Sequence, residues 1–177
     1  MLEEFLVGCW EKTQLPTLKK IVSEDHPDYI CDVYSPMLGH SILSAQQFGE
    51  LYWPYFKQII DSVAENGRRL HIFCEGEMLR YAEFFQEIPK GILILHLEQD
   101  DIREVRRKCP NLCLAGGFPI EILGNGTPQQ CIDTARQLID DMGEGFIFST
   151  TKLAAYADDA RRENLLALNE FVRGYEV

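Results

Sequence analysis

The chain has 177 residues, 46% of them hydrophobic and 25% charged, which is the composition of one globular domain. Its net charge of −11 repels phosphate backbones and anionic lipids, so we expect it to bind neither nucleic acid nor membranes. No apolar run approaches the roughly 20 residues of a membrane-spanning helix, and Glu3 and Glu4 stand where an export signal carries basic residues.

The six cysteines include no Cys-x-x-Cys pair, so the sequence shows neither the spacing of a zinc knuckle nor that of a thioredoxin-type redox motif. Most of them stand in apolar stretches, where free thiols are usually buried. We therefore predict reduced cysteines in a cytoplasmic protein, with no metal and no cofactor.

The first half of the chain predicts mainly helices. Residues Leu2–Ser23 have a helical pattern broken at Pro16, and Asp28–Val33 could form one short strand. A capping box begins at Ser44, ahead of a helix over Phe48–Asn66 that Pro54 should kink.

From residue 69 onward, short apolar runs alternate with amphipathic segments. The runs that we interpret as buried strands are Arg69–Glu75, Gly91–Leu97, Asn111–Ala115 and Gly145–Ser149. The clearest helices between and after them are Thr127–Met142, which opens with a second capping box, and Glu163–Tyr175.

Strands alternating with helices at this spacing predict an α/β fold with a parallel sheet and right-handed crossovers, the pattern of a (β/α)8 TIM-type barrel. A complete barrel of this kind needs about 250 residues. We therefore predict a partial barrel, corresponding to roughly its C-terminal half, in a single domain over residues 1–177.

Strand alternation predicts which side chains face the inside of the barrel. In the first two long strands, one face carries Leu70, Ile72 and Cys74 together with Leu93, Leu95 and Leu97. The other face carries His71, Phe73 and Ile94. On that second, inward face Glu75, His96 and Glu98 follow at the carboxyl ends of the strands, where barrel enzymes place their active sites.

We predict that Glu75, His96 and Glu98 line one pocket within about 10 Å of one another, because adjacent strands lie about 4.8 Å apart. Two carboxylates and an imidazole could transfer protons or hold a metal. Each of them could equally have a structural role, as a solvated helix cap or a satisfied histidine.

Ligand contacts deeper in the barrel are predicted for His71 and Phe73. The pair Gly116-Gly117 permits either a close approach of backbone to ligand or a sharp exit turn after the third long strand, and the turn is favoured. We interpret Gly124-Asn125-Gly126 as a turn with no nucleotide role.

Two segments carry a resemblance to a known family. The strings EGEMLRYAEFFQEIPKGILILHLEQDDI and GNGTPQQCIDTARQLIDDMGEGFIFS, in this order, resemble the C-terminal half of the uroporphyrinogen decarboxylase superfamily. The resemblance covers residues 35–177 and leaves 1–34 as an unmatched helical segment. It implies a (β/α)8 barrel, often dimeric, with a deep cleft at the carboxyl rim.

The resemblance implies two chemistries. The decarboxylases of this superfamily act without cofactor on the acetate side chains of a tetrapyrrole in porphyrin biosynthesis, using an arginine-rich loop and an aspartate that have no counterpart here. Their Gly-His-Gly turn is replaced by Ser149-Thr150-Thr151. The corrinoid-dependent methyltransferases bind zinc through a His-x-Cys-Gly motif, and the matching residues here are Phe73-Cys74-Glu75-Gly76.

Three functions therefore stay open, and with them whether the chain is an enzyme. The chain could be a decarboxylase-like lyase, incomplete by itself, a relative of the methyltransferases, or a non-catalytic binding or assembly subunit. In each case we expect a small-molecule ligand.

An incomplete barrel predicts exposed sheet edges and an uncovered inner face that includes Phe73, Ile92, Ile94 and Ala115. We expect a homodimer or a partner chain to complete the barrel. The alternative is that Leu2–Ser23 folds over the open side as a lid.

Overall fold

A computed structural model describes residues 2–23, 33–37 and 40–175 of the chain. Its centre is a sheet of five parallel strands that pair in the order in which they occur along the chain. The strands are β1 (Val33–Met37), β2 (Leu70–Cys74), β3 (Leu93–Leu97), β4 (Cys113–Phe118) and β5 (Phe146–Thr150). This is an α/β fold, consistent with part of a TIM-type barrel.

Nine α-helical segments accompany the described strands. In chain order they are α1 (Leu2–Cys9), α2 (Leu15–Ser23), α3 (Ala45–Gln47), α4 (Trp53–Glu65), α5 (Ala82–Phe85), α6 (Ile102–Lys108), α7 (Ile120–Asn125), α8 (Pro128–Met142) and α9 (Arg162–Gly174). Both predicted capping boxes are present, at Ser44 with Gln47 and at Thr127 with Gln130. None of the helices in the described ranges is long and apolar enough to cross a bilayer.

The main hydrophobic core lies between the helices and the outer face of the sheet. It includes Leu70 and Ile72 of β2, Leu93 and Leu95 of β3, and residues of α4 and α8 that pack over them. Because the register pairs Ile72 with Leu95 and Phe73 with His96, each of these pairs shares one face. The alternation of β2 and β3 is as the sequence predicts.

The inner face is better covered than the sequence suggests. Phe73, Ile94 and Ala115 are only 9%, 4% and 1% exposed, although they lie outside the main core cluster. The prediction that these side chains have no partners within the chain is therefore wrong, and Ile92 packs against the main core from the edge of β3. Curling of the sheet brings inner side chains against one another, which the alternation along a flat strand does not capture.

The helical segments continue through Pro16, where a break is predicted, and through Pro54, where a kink is predicted. In each case a π-helical turn, Trp10–Gln14 or Phe48–Tyr52, ends two residues before the proline. Proline has no N–H and its ring crowds the carbonyl four residues earlier, and the wider turn relieves both constraints.

The segment Leu2–Ser23 lies in the helix layer. The Trp10 indole N–H donates to Gln58 Oε1 at 3.0 Å, and its ring lies 5.7 Å from that of Tyr55. Both partners are on α4, so the described part of this segment packs beside α4 and does not form a lid over the open side. Of the strand predicted over Asp28–Val33, residues 28–32 lie outside the described ranges, and Val33 is the first described residue of β1.

The third long strand continues through its two glycines. Gly116 and Gly117 have φ angles of +100° and +79° within β4, so the predicted exit turn is wrong. A Cβ on Gly116 would lie 2.8 Å from the Leu97 carbonyl oxygen and 3.0 Å from the His96 ring. Likewise, Gly124 and Asn125 belong to α7, where a Cβ on Gly124 would lie 2.9 Å from the Asp158 carbonyl oxygen.

We predict that Gly116→Ala lowers the free energy of unfolding by about 2–4 kcal/mol, because alanine meets both a strained φ and a backbone clash. Gly67→Ala is the matched control, since Gly67 has a φ of +67° but open space around it. It should cost only about 1 kcal/mol. Urea unfolding followed by circular dichroism measures both, and equal losses would show that the close approach to Leu97 and His96 is unimportant.

Candidate functional site

A cleft of about 350 Å³ opens at the carboxyl end of the sheet, between the loops that follow β1, β2 and β3. Its lining residues are Ser41, Glu75, Gly76, Glu77, Glu98 and Gln99. Two of the three predicted catalytic residues, Glu75 and Glu98, therefore line the same cleft. Three carboxylates in one lining make its electrostatic potential negative.

Glu98 is held in place by the neighbouring loop. Its Oε2 accepts the Gly76 backbone N–H at 2.7 Å, and its Oε1 lies 3.8 Å from the Lys152 ammonium. The side chain is 18% exposed, so one carboxylate edge is fixed by the backbone while the group still reaches the cleft. Glu75 lines the same cleft and is exposed.

Asp100 is a structural anchor of the site that the sequence pattern did not reveal. Its carboxylate accepts the backbone N–H groups of Met78 and Leu79 at 2.6 and 3.1 Å. Burial raises the pKa of Asp100, and these two hydrogen bonds oppose the shift. Asp100 and Glu98 both belong to the loop after β3, and both hold the loop after β2.

His96 belongs to the inner face of the sheet. Its ring meets the Phe73 ring edge-on at 4.9 Å and lies parallel to the His71 ring at 5.9 Å. Its Nε2 lies 2.8 Å from the Thr150 carbonyl oxygen, which can only accept, so Nε2 carries a hydrogen and donates it to Thr150. We call His71, Phe73 and His96 the inner-face cluster. The structure brings these three side chains together on one face, as strand alternation predicts.

The two predicted ligand-contacting glycines have packing roles. The space beside Gly116 is occupied by His96 and the Leu97 carbonyl, and a Cβ on Gly117 would lie 3.0 Å from the Ile102 side chain and 3.3 Å from Leu138. Each glycine is therefore explained by close packing of β4 against its neighbours.

His71 is the titratable member of the inner-face cluster with a shifted pKa. Burial lowers the pKa of His71 below 6.5, and the neighbouring His96 lowers it further, because a second positive charge would be repelled. We expect His71 to be neutral at physiological pH.

Cys74 faces the opposite side of the sheet from the inner-face cluster. Its Sγ lies 3.4 Å from His40 Nε2, and both residues are fully buried in the outer layer. Burial, followed by the charges of Asp100, Glu98 and Glu75, raises the pKa of the thiol, and burial lowers the pKa of His40. The pair is therefore a neutral thiol beside a neutral imidazole and not an activated nucleophile.

The residues present do not fit the zinc site implied by the methyltransferase resemblance. Phe73 occupies the position of the histidine ligand, and Cys74 points away from the inner face toward His40. Within the described ranges, no group of three His, Cys, Asp or Glu side chains has the arrangement of a metal site. These side chains therefore give no support to a zinc-dependent methyl transfer.

A second cavity of about 360 Å³ lies beside the first, between α7 and the loop after β5. Its lining includes Lys152, Leu153 and Tyr156 from that loop and Asn125 from α7. Lys152 stands between the two cavities, because its ammonium also approaches Glu98.

The family model described as Uroporphyrinogen decarboxylase (URO-D) matches residues 31–175, which include all five strands. The resemblance inferred from the motifs is confirmed by this match. No curated protein is significantly similar to the chain.

We predict that Asp100→Ala lowers the free energy of unfolding by about 1–3 kcal/mol, because the Met78 and Leu79 N–H groups lose their acceptor. Hydrogen exchange at these two amides should accelerate. Gln99→Ala, on the same loop, is the control and should change stability by less than about 0.5 kcal/mol. Unchanged exchange at Met78 and Leu79 would contradict the anchoring role of Asp100.

The lowered pKa of His71 predicts a pH dependence of stability. The unfolded chain binds a proton on this residue near pH 6.5 and the folded chain only at lower pH, so stability should fall as the pH drops below about 6.5. In His71→Gln, the slope of unfolding free energy against pH should be shallower between about pH 5 and 7. Urea titrations at each pH measure the slopes, and identical slopes would show that His71 does not titrate differently on folding.

Proposed function

The chain belongs to the uroporphyrinogen decarboxylase family, and from this premise we propose that it binds a small organic molecule in the acidic cleft at the carboxyl end of its sheet. The proposal is supported by one observation above all: Glu98, which is fixed by the Gly76 N–H, lines a cleft of about 350 Å³ together with Glu75. Barrel proteins bind their ligands at this end of the strands.

Glu75, Glu98 and His96, which the sequence predicts as catalytic, are the residues proposed to contact the ligand. Glu98 is preorganised as a hydrogen-bond acceptor, and Glu75 supplies a second carboxylate that is exposed to solvent. His96 is oriented by the hydrogen bond from its Nε2 to the Thr150 carbonyl oxygen. The rings of His71 and Phe73 contact that of His96. These two rings would form the floor of the site below the ligand.

The negative charge of the cleft limits the class of ligand that it can bind. Decarboxylation of acetate side chains requires cations that hold several carboxylates, and two cations beside the cleft, Lys152 and Arg80, already have partners in the protein. Lys152 approaches Glu98, and the Arg80 guanidinium donates to the Ser41 carbonyl. The cleft is therefore better suited to a ligand that is neutral or positively charged where it meets the protein.

A binding role is accordingly the function we propose for the residues described. Decarboxylation of tetrapyrrole acetates is the alternative that follows from the family, and it requires carboxylate-binding groups in addition to those at this rim.

We predict that a porphyrin with cationic pyridinium side chains binds about tenfold more tightly at low salt than uroporphyrin, which carries carboxylate side chains. Binding is measured by the change in porphyrin fluorescence during titration. In the double variant Glu75→Gln/Glu98→Gln this preference should disappear, because the two carboxylates in the cleft are removed.

Glu87→Gln is the matched control, since it removes an exposed carboxylate elsewhere on the surface. It should retain the preference, which separates binding in the cleft from attraction to the net charge of −11. Tighter binding of uroporphyrin would contradict the proposal and support the decarboxylase alternative.

A further inference from the structure

The end of the sheet opposite the acidic cleft carries a small cavity of about 150 Å³. It lies among the turns that lead into β3, β4 and β5, so it opens at the amino end of the strands. Its lining includes Lys90, Gly91, Arg106, Cys113, Glu144 and Gly145. The cavity and the acidic cleft share no lining residue, so what binds here is independent of the ligand proposed for the cleft.

The guanidinium of Arg106, in the last turn of α6, is held across two turns. One terminal nitrogen donates to the Leu112 carbonyl at 3.0 Å, before β4, and the other donates to the Gly145 carbonyl at 2.8 Å, before β5. A guanidinium has five N–H donors, so each terminal nitrogen keeps one further N–H. The Nε of Arg106 is buried and has no hydrogen-bond partner among the described residues. Arg106 is therefore fixed in position with donors to spare.

The positive charge of Arg106 has no carboxylate partner in the described part of the chain. Neither Arg106, which is half-buried, nor the exposed Lys90 forms an ion pair there. Burial lowers the pKa of Arg106, because its charge is partly removed from water. Burying a charge without a countercharge costs free energy, and an anion in the cavity would offset that cost.

The charges that act on the cavity are mainly positive. Burial raises the pKa of the half-buried Cys113 thiol, and the charges of Arg106 and Arg69 oppose that shift, so both arginines act on the start of β4. Glu144 is the only carboxylate among the described residues of the lining, and it is exposed. In a chain with a net charge of −11, the cavity is a local reversal of sign.

The walls of the cavity are fixed by hydrogen bonds between neighbouring units of the fold. Asn111, in the turn before β4, donates from Nδ2 to the carbonyl oxygens of Phe85 and Ile88 at 2.9 and 2.7 Å, which ties this turn to the segment before β3. Arg106 ties the same turn to the start of β5. A cavity with fixed walls needs little ordering of side chains when a ligand binds, which favours affinity.

The size of the cavity limits the ligand to a small ion. A water molecule occupies about 30 Å³ in the liquid, so a cavity of about 150 Å³ holds a small ion with a few waters. Sites for larger organic ligands have about 300–1,000 Å³, which excludes nucleotides and sugar phosphates. A tetrahedral oxoanion offers several acceptor oxygens to the donors of an arginine and a lysine.

We propose that this cavity at the amino end of the sheet binds a small free oxoanion of the phosphate or sulfate type. The terminal nitrogens of Arg106 donate their remaining N–H groups to it, and the flexible Lys90 side chain reaches it from the turn before β3. The bound ion compensates the charge of Arg106 and links the turns that lead into β3, β4 and β5.

The test is a titration of the isotope-labelled full chain with inorganic phosphate at neutral pH, followed by the NMR shifts of backbone amides. Sodium chloride of equal ionic strength is the reference. Phosphate should shift the amides of Gly91 and Gly145 saturably, with half-saturation at about 1 mM, and leave the Gly76 amide at the acidic cleft unshifted. Shifts that do not saturate, or that chloride reproduces, would overturn the proposal, because they would report only screening of charges.

Two exposed side chains of the lining can be changed without disturbing the hydrogen bonds of Arg106. Lys90→Gln should weaken phosphate binding about fivefold and Glu144→Gln should strengthen it about fivefold, because each changes one charge at the cavity. Lys19→Gln is the matched control, since it removes an exposed positive charge on α2, outside the lining, and should leave the affinity unchanged. An unchanged affinity in Lys90→Gln, or an equal loss in Lys19→Gln, would overturn the proposal.

Discussion

The parallel register between β2 and β3 is the constraint on which the site depends. It pairs Phe73 with His96 and Cys74 with Leu97, so Glu75 and Glu98 follow at the same edge of the sheet. The same register places His71 and His96 on the inner face and leaves Cys74 on the outer face with His40. A shift of one residue would exchange the faces and bury the polar side chains under the helices.

The loop after β3 lines the cleft at this edge of the sheet and holds the loop after β2 in place. Three of its acidic residues accept backbone N–H groups: Glu98 from Gly76, Asp100 from Met78 and Leu79, and Asp101 from Arg103. Hydrogen bonds from N–H groups to carboxylates are stronger than neutral ones. Part of the negative charge at the rim therefore serves to hold the loop after β2, and the charge that remains toward the cleft is the basis of the proposed preference for neutral or cationic ligands.

Large apolar side chains are distributed unevenly over the fold. Among the described residues, the units around β2, β3 and β4 bury theirs between sheet and helices, whereas the exposed ones belong to α1, α9 and the loops after β1 and β5. The acidic cleft and the second cavity share the carboxyl rim, with Lys152 between them.

The sequence alone determined the features that depend on neighbouring residues. The sequence predicts the capping boxes at Ser44 and Thr127, the alternation of β2 and β3, and the family motifs. Each of these depends on the spacing of residues that are close together in the chain. Only the tertiary structure decided the role of Asp100, whose N–H partners lie about twenty residues earlier in the chain. It also decided that β4 continues through Gly116. His96 and Leu97 on the neighbouring strand leave no space for a side chain at this position, and no local sequence pattern encodes that contact.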